Sequence, residues 1–288
     1  MFPAPYFEIL SLLTEISLCL SPLVIKSVGT TVETTVLIKV MVYVLIAFII
    51  SSPKDLKSVT ELSFSNLIHY IIMGSLSFIT LSLTYFGFKE LPLSLSMLIN
   101  YSFPIVLVLI SHFFLGYPQP LYILPFFILA YIVMVYNLKP HVKQVEQFQT
   151  MNKEKKYMKY KAIAALILGS TLTSIGFIIK KMGFDSHETG MIRANLGALI
   201  ISILMFIKSA KAPDLRPDIW LKLLIFNILI GYIISKFRSL AFNSVSEIYY
   251  GIFVFLGALV AYKISVYHPK LRPNEPIDFL IEDYKTKQ

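Results

Sequence analysis

Charge is scarce in this chain. Asp, Glu, Lys and Arg make up 15% of its 288 residues, where a soluble domain carries roughly 25%. Cysteine is almost missing: Cys19 stands alone, so no intramolecular disulfide can form, and no CxxC or His/Cys cluster offers a metal site. The sequence also lacks GxSxG, HExxH and Walker A patterns, and it has no acidic cluster of the kind that holds a metal on a lipid-processing enzyme. These absences argue against an enzyme and imply neither cofactor nor metal. The N-terminus has no basic n-region, and its first apolar run contains Glu8 and Glu15. The expectation is a retained first helix rather than a cleaved signal peptide.

Apolar residues fill the space that charge leaves. The composition is 56% hydrophobic with a mean hydropathy of +0.70. Apolar runs of about 17–25 residues, each long enough to cross a bilayer, recur from end to end. The fold class expected is an all-α polytopic membrane protein. A net charge of +9 would suggest nucleic acid in a soluble chain. Here most Lys and Arg fall in loops, where they are orientation signals, so the expected partners are the lipid bilayer and a small-molecule solute, and no nucleic acid. Nine spans are expected, near 5–26, 35–51, 66–88, 92–115, 119–137, 162–181, 189–208, 219–236 and 240–263. Proline turns such as Phe88-Lys89-Glu90-Leu91-Pro92 separate neighbours. The division is 1–137, five transmembrane helices; 138–161, a basic cytoplasmic linker loop; 162–267, four helices; and 268–288, a polar tail. Alternate loops carry six basic residues on one side and eighteen on the other. That places the N-terminus outside and the C-terminus in the cytoplasm.

The two halves are copies. IKSVGTTVETTVLIK from Ile25 matches IKKMGFDSHETGMIR from Ile179, 154 positions later, with identities at Ile25, Lys26, Gly29, Thr35 and Ile38 and with Lys39 facing Arg193. A second block matches at a spacing of 149, with Phe88, Leu91, Tyr101, Leu107 and Pro120 falling on Phe237, Leu240, Tyr250, Leu256 and Pro269. Colinear blocks with basic residues in register imply two pseudo-repeats. An odd number of helices in the first makes the second inverted, which is the architecture of alternating-access carriers.

The run YFGFKELPLSLSMLINYSFPIVLVLISHFFLGY from Tyr85 has a helix-stop turn, small residues, a mid-helix proline and a glycine before the next turn. It resembles the fourth helix of the drug/metabolite transporter (DMT) superfamily, EamA-like branch. The Lys-x-x-Gly stretch followed by Lys39 or Arg193 is similar to the start of each repeat in that family. The resemblance covers about residues 5–266. It implies ten helices in two inverted five-helix repeats, a central cavity, and transport of small organic solutes. The chain departs by having five plus four helices, and by having Phe253 opposite Pro104. A homodimer is one assembly open to it.

Candidate functional residues are the polar ones at membrane depth, where ionisable groups mark substrate or proton pathways by default. Glu15 lies about 15 Å into the first span, near the bilayer centre, and is the candidate proton-coupling or cation-binding carboxylate. A buried Glu paired with a Lys for packing is the plainer reading. In the ninth span Ser239, Asn243, Ser246, Glu247 and Tyr250 fall on one helical face, which suits a polar solute or interhelical glue equally. Ser96, Asn100 and Pro104 form a weaker stripe that leans towards glue, with Pro104 as a kink for packing. Asn227 on the eighth span serves cavity or close packing. Lys39 and Arg193 would bind an anionic group or, more simply, snorkel to headgroups. The substrate-binding set is therefore Glu15, Asn243, Ser246, Glu247, Tyr250, Asn100, Ser96 and Asn227, with Glu15 and Glu247 for protons. The expected function is secondary transport of a small polar metabolite by alternating access. Its rivals are a non-transporting scaffold derived from a carrier, and a passive channel, which the lack of a ring of like charges disfavours.

Overall fold

The computed structural model describes residues 4–50, 53–61, 63–114, 121–138, 153–181, 187–210, 212–233 and 247–267. Twelve α-helices occur among them: α1 (Ala4–Cys19), α2 (Ser21–Ser27), α3 (Val32–Ile50), α4 (Pro53–Thr60), α5 (Phe64–Glu90), α6 (Leu93–Asn100), α7 (Phe103–Phe114), α8 (Leu124–Leu138), α9 (Lys153–Lys181), α10 (His187–Ser209), α11 (Pro217–Ile233) and α12 (Glu247–Tyr267). No strand occurs among the described residues. Among the described residues, four stretches are long and apolar enough to cross a membrane: Val32–Ile49, Asn66–Glu90, Leu93–Ile110 and Ile192–Ser209. Large apolar side chains stand on the outside, among them Ile71, Ile132, Leu204 and Leu229. Water would not tolerate so much of that surface, and lipid does.

Local chemistry sets the ends of these helices. Ser63 caps α5 by accepting a hydrogen bond from the Asn66 N–H at 3.1 Å, which satisfies one donor of the open first turn. α5 closes where the Leu91 N–H reaches the Gly87 carbonyl at 3.0 Å, and Pro92 then starts α6. α11 opens on Pro217 with Asp218 in its first turn, a placement the helix dipole favours.

Three expectations need correction. The first expected span is two helices, interrupted at Leu20 ahead of Pro22. The fourth breaks at Tyr101 and Ser102, because Pro104 has no N–H to continue the ladder. The linker placed at 138–161 is partly helical: Leu138 ends α8, and residues 153–161 form the first nine residues of α9. Lysine, glutamate and methionine are good helix formers, and nothing there breaks the helix.

α5 is the centre of the packing. It lies along both α9 and α10, and glycines permit the approach. A Cβ on Gly74 would meet the Gly197 backbone at 2.6 Å, and one on Gly197 would meet the Tyr70 carbonyl oxygen at 2.4 Å. α1 runs against α12, whose Gly257 abuts the backbone of Glu15, and α3 packs on α10 and α11.

At one end of the bundle, lysines hold carbonyls at helix ends and turns. Lys26 donates to the Leu91 carbonyl, Lys89 to that of Thr30 and Lys159 to that of Glu90. Beside them Asp214 joins two distant connections. Its carboxylate accepts from Arg216 Nε at 3.0 Å and from Thr30 Oγ1 at 2.9 Å, and its N–H donates to Thr34 Oγ1 at 3.1 Å. Arg216 also donates to the Gly29 carbonyl, and the Trp220 indole donates to the Asp214 carbonyl. The Arg216 hydrogen bonds, helped by that of Thr30, hold the Asp214 carboxyl well below the usual carboxylate range. A depressed carboxylate stabilises the fold above its ordinary value of about 3.9 and loses that contribution as pH falls through the folded-state value. Asp214→Asn is therefore expected to lower the melting temperature at pH 7. The gap to wild type should close as melts are repeated at successively lower pH below about 4.

Candidate functional site

A cavity of about 240 Å³ opens between α1, α3, α5, α9 and the break in the fourth span. Liquid water occupies about 30 Å³ per molecule, so the space suits a solute of few heavy atoms. It lies below the range of about 300–1,000 Å³ typical of drug-sized ligands.

α5 supplies more of the wall than any other helix. Met73, Ser77, Thr80, Thr84 and Phe88 face the cavity, at the three- and four-residue steps that define one side of a helix. The hydroxyls of Ser77, Thr80 and Thr84 form a polar stripe down this face. Thr80 Oγ1 is buried and has no hydrogen-bond partner among the described residues. A buried hydroxyl left without a partner costs free energy, so it favours a polar occupant.

Two charges of opposite sign join the hydroxyls. Glu15 is 3% exposed and lines the cavity from α1, about 16 Å from the start of that helix at 1.5 Å per residue. Its position follows from Gly257, whose missing side chain lets α12 press directly on the Glu15 backbone. Lys39 lines the cavity from α3. Its ammonium lies 5.5 Å from the Tyr43 ring centre and 5.2 Å from that of Tyr85, within reach of cation–π attraction. Among the described lining residues, Glu15 is the one acid and Lys39 the one base.

The broken helix brings backbone to the same place. Asn100, Tyr101 and Phe103 line the cavity where α6 gives way to α7. Backbone polar groups at membrane depth must be satisfied within the protein, and neighbouring side chains do so here. Ser174 donates to the Phe103 carbonyl at 3.0 Å, Ser170 to that of Asn100 at 3.4 Å, and Tyr131 to that of Leu98 at 3.0 Å. Pro104 thus shapes a wall of the cavity as well as a kink.

The other expected site residues fall elsewhere. Ser96 is fully buried and donates to the Leu93 carbonyl of its own helix at 2.9 Å, off the cavity wall. Asn227 does the same on α11, donating to Leu223 at 2.8 Å. Arg193 is 2% exposed with its guanidinium 5.7 Å from the Tyr70 ring centre, turned into the bundle rather than outward, and it is not part of the cavity wall that its neighbour Ala194 lines. Lys39 is not a headgroup anchor either, since its ammonium sits over two buried rings. Asn243 and Ser246 lie outside the described residues. Glu247 and Tyr250 belong to the first turn of α12, and their side chains lie outside the described ones.

Sequence reasoning missed the α5 stripe, Thr173 on α9 and the tyrosines around Lys39. The three-and-four spacing of Ser77, Thr80 and Thr84 was a usable signal, and Tyr43, four residues beyond Lys39, was another.

Fold and site together define an all-helical protein with membrane-length apolar helices around a small cavity whose largely apolar wall carries a few polar and charged groups. The chain matches no known family model and no curated protein.

Proposed function

We propose that this protein is a secondary transporter that moves a small polar organic metabolite across a membrane by alternating access, with proton exchange as its coupling reaction. The carrying observation is the cavity itself. One acid, one base, a stripe of hydroxyls and a broken helix meet at one cavity, and discontinuous helices mark binding sites in carriers.

The packing supports two inverted repeats of five and four helices. Under the repeat, α1 matches α9, α3 matches α10, α5 matches α11, and α6 with α7 matches α12. Helix pairs exchange accordingly: α1 packs on α12 as α9 packs on α6 and α7, and α5 packs on α10 as α11 packs on α3. α3 against α10 is its own counterpart. The lysine-rich end, where Asp214 and Arg216 bind Gly29 and Thr30, faces the cytoplasm on this reading. It joins the two repeats and closes that side, so the bond set must open for release there. This arrangement agrees with a carrier of the drug/metabolite transporter type. A scaffold would have no use for an unpartnered Thr80 hydroxyl beside an open space.

The test is uptake into proteoliposomes from a panel of small amino acids, amines and organic acids, with and without a pH gradient. At least one solute is expected to accumulate. Ser77→Trp, which places an indole in the cavity, should reduce that uptake to the level of protein-free vesicles while leaving the melting temperature near wild type. A folded Ser77→Trp protein that transports at the wild-type rate would overturn the reading.

A further inference from the structure

The part of α9 that extends past the bundle carries a surface the transport reading does not use. α9 has 29 residues, about 43 Å at 1.5 Å per residue, against a hydrocarbon core of about 30 Å. The excess corresponds to about nine residues, and the sequence places them. The apolar stretch begins at Ala162, which is fully buried. Ahead of it lies KEKKYMKYK, residues 153–161, with five lysines against one glutamate.

An internal bond fixes the level of this segment. Lys159 donates to the carbonyl of Glu90, the last residue of the membrane-length stretch Asn66–Glu90. Residue 159 is therefore level with the end of a span, and residues 153–158 stand beyond it, at the depth of lipid headgroups. Lys159 faces the bundle and holds the turn between α5 and α6. Its neighbours face outward: Lys153, Lys155 and Lys161 are exposed and Lys156 is partly so.

The aromatic residues fit the same depth. Tyr157 is 61% exposed and Tyr160 54%, and Met158 adds a further 40% exposed apolar side chain. Lys153, Lys156, Tyr157 and Tyr160 share one helical face, and the Lys161 ammonium lies 4.5 Å from the Tyr157 ring centre. Rings with a polar tip favour the membrane–water boundary, and lysines beside a span favour an anionic leaflet, each strengthening attachment about fivefold.

We propose that residues 153–161 form a binding surface for anionic phospholipid headgroups, engaged through Lys153, Lys155, Lys156 and Lys161 with Tyr157 and Tyr160 seated at the headgroup boundary. The surface tethers the base of α9, and through Lys159 the end of α5. A loop that serves only as a topology signal would need the positive charge but no preference for a particular lipid.

The experiment uses the full chain purified in a neutral detergent, with thermal melts in the presence of phosphatidylglycerol, phosphatidylcholine or inorganic phosphate at matched concentrations. A ligand that binds only the folded protein raises its melting midpoint. Phosphatidylglycerol is expected to raise the midpoint with increasing dose, while phosphatidylcholine and phosphate leave it in place. The quadruple variant Lys153→Gln, Lys155→Gln, Lys156→Gln and Lys161→Gln should keep the lipid-free midpoint. It should need on the order of a hundredfold more phosphatidylglycerol, or more, for the same rise. Equal shifts from the two lipids would overturn the proposal. So would an equal shift from phosphate, which would show a site for free anions, or an unchanged dose dependence in the quadruple variant.

Discussion

Glutamine at position 15 is expected to abolish the pH dependence of uptake. Wild-type protein in proteoliposomes should accumulate its solute when a proton gradient is imposed, and Glu15→Gln should show no response to that gradient. Exchange of solute against solute, which needs the cavity but no net proton movement, should persist. The side chains are nearly the same size, so packing against Gly257 of α12 is preserved and the change isolates the proton. Glu15 is the group to test because it is the acid of the cavity wall among the described residues, is 3% exposed, and sits opposite a helix break that supplies backbone polar groups. An intramembrane carboxylate is costly to keep and is retained where it works. Full retention of pH-dependent uptake by Glu15→Gln would exclude it as the coupling group.

Alanine at position 197 is expected to separate α5 from α10. The added carbon would lie 2.4 Å from the Tyr70 carbonyl oxygen and 2.8 Å from the Gly74 α-carbon. Both are backbone atoms, which cannot swing aside as a side chain can. Overpacking of this kind costs about 1–3 kcal/mol and sometimes more, and here it meets rigid atoms on two sides, so the upper end applies. At about 2–4 °C per kcal/mol for a chain of this order of size, melts in detergent should show a loss of about 5–10 °C. Gly190→Ala is the control. It lies in the same helix with nothing within 4 Å of the added carbon, and alanine is the better helix former by about 1 kcal/mol. It should melt no lower than wild type. If Gly197→Ala melts like Gly190→Ala, the two helices are not in direct backbone contact.

The positions of the helices were legible because apolar length and proline turns are written along the chain. Each of the nine expected stretches is helical over most of its described length, with breaks at Leu20 in the first and at Tyr101 and Ser102 in the fourth. Glu15 was legible for the same reason, since a carboxylate in the middle of an apolar run has little to do but face the interior. Asn100 was read as a weak candidate and stands on the cavity wall. The α5 stripe was hidden by excess. Ser75, Ser77, Thr80, Ser82 and Thr84 put hydroxyls on several sides of the helix, and only the glycine contacts with α9 and α10 decide which side faces the space. Lys39 was read towards the headgroups because it stands near a helix start; Tyr85, which turns it inward, is 46 positions away in the chain. Ser96 and Asn227 illustrate a choice that spacing cannot settle. Each spends its hydrogen-bonding capacity on a carbonyl of its own helix, an option always open to such residues.

The glycine contacts also sort the bundle into parts. Gly74 against Gly197, Gly87 against Leu166 and Gly169 against Thr84 hold α5, α9 and α10 with almost no tolerance between them. Gly257 against Glu15 joins α1 to α12 in the same way. Within the first group α5 meets α10 backbone to backbone and meets α9 through the Leu166 and Thr84 side chains; within the second, α12 meets α1 at the backbone. The hydroxyl stripe belongs to the first and the carboxylate to the second. In the proposed carrier, the gap between Glu15 and the α5 stripe would be the coordinate along which the cavity widens or shuts, and a bound solute touching both would fasten the two sides together.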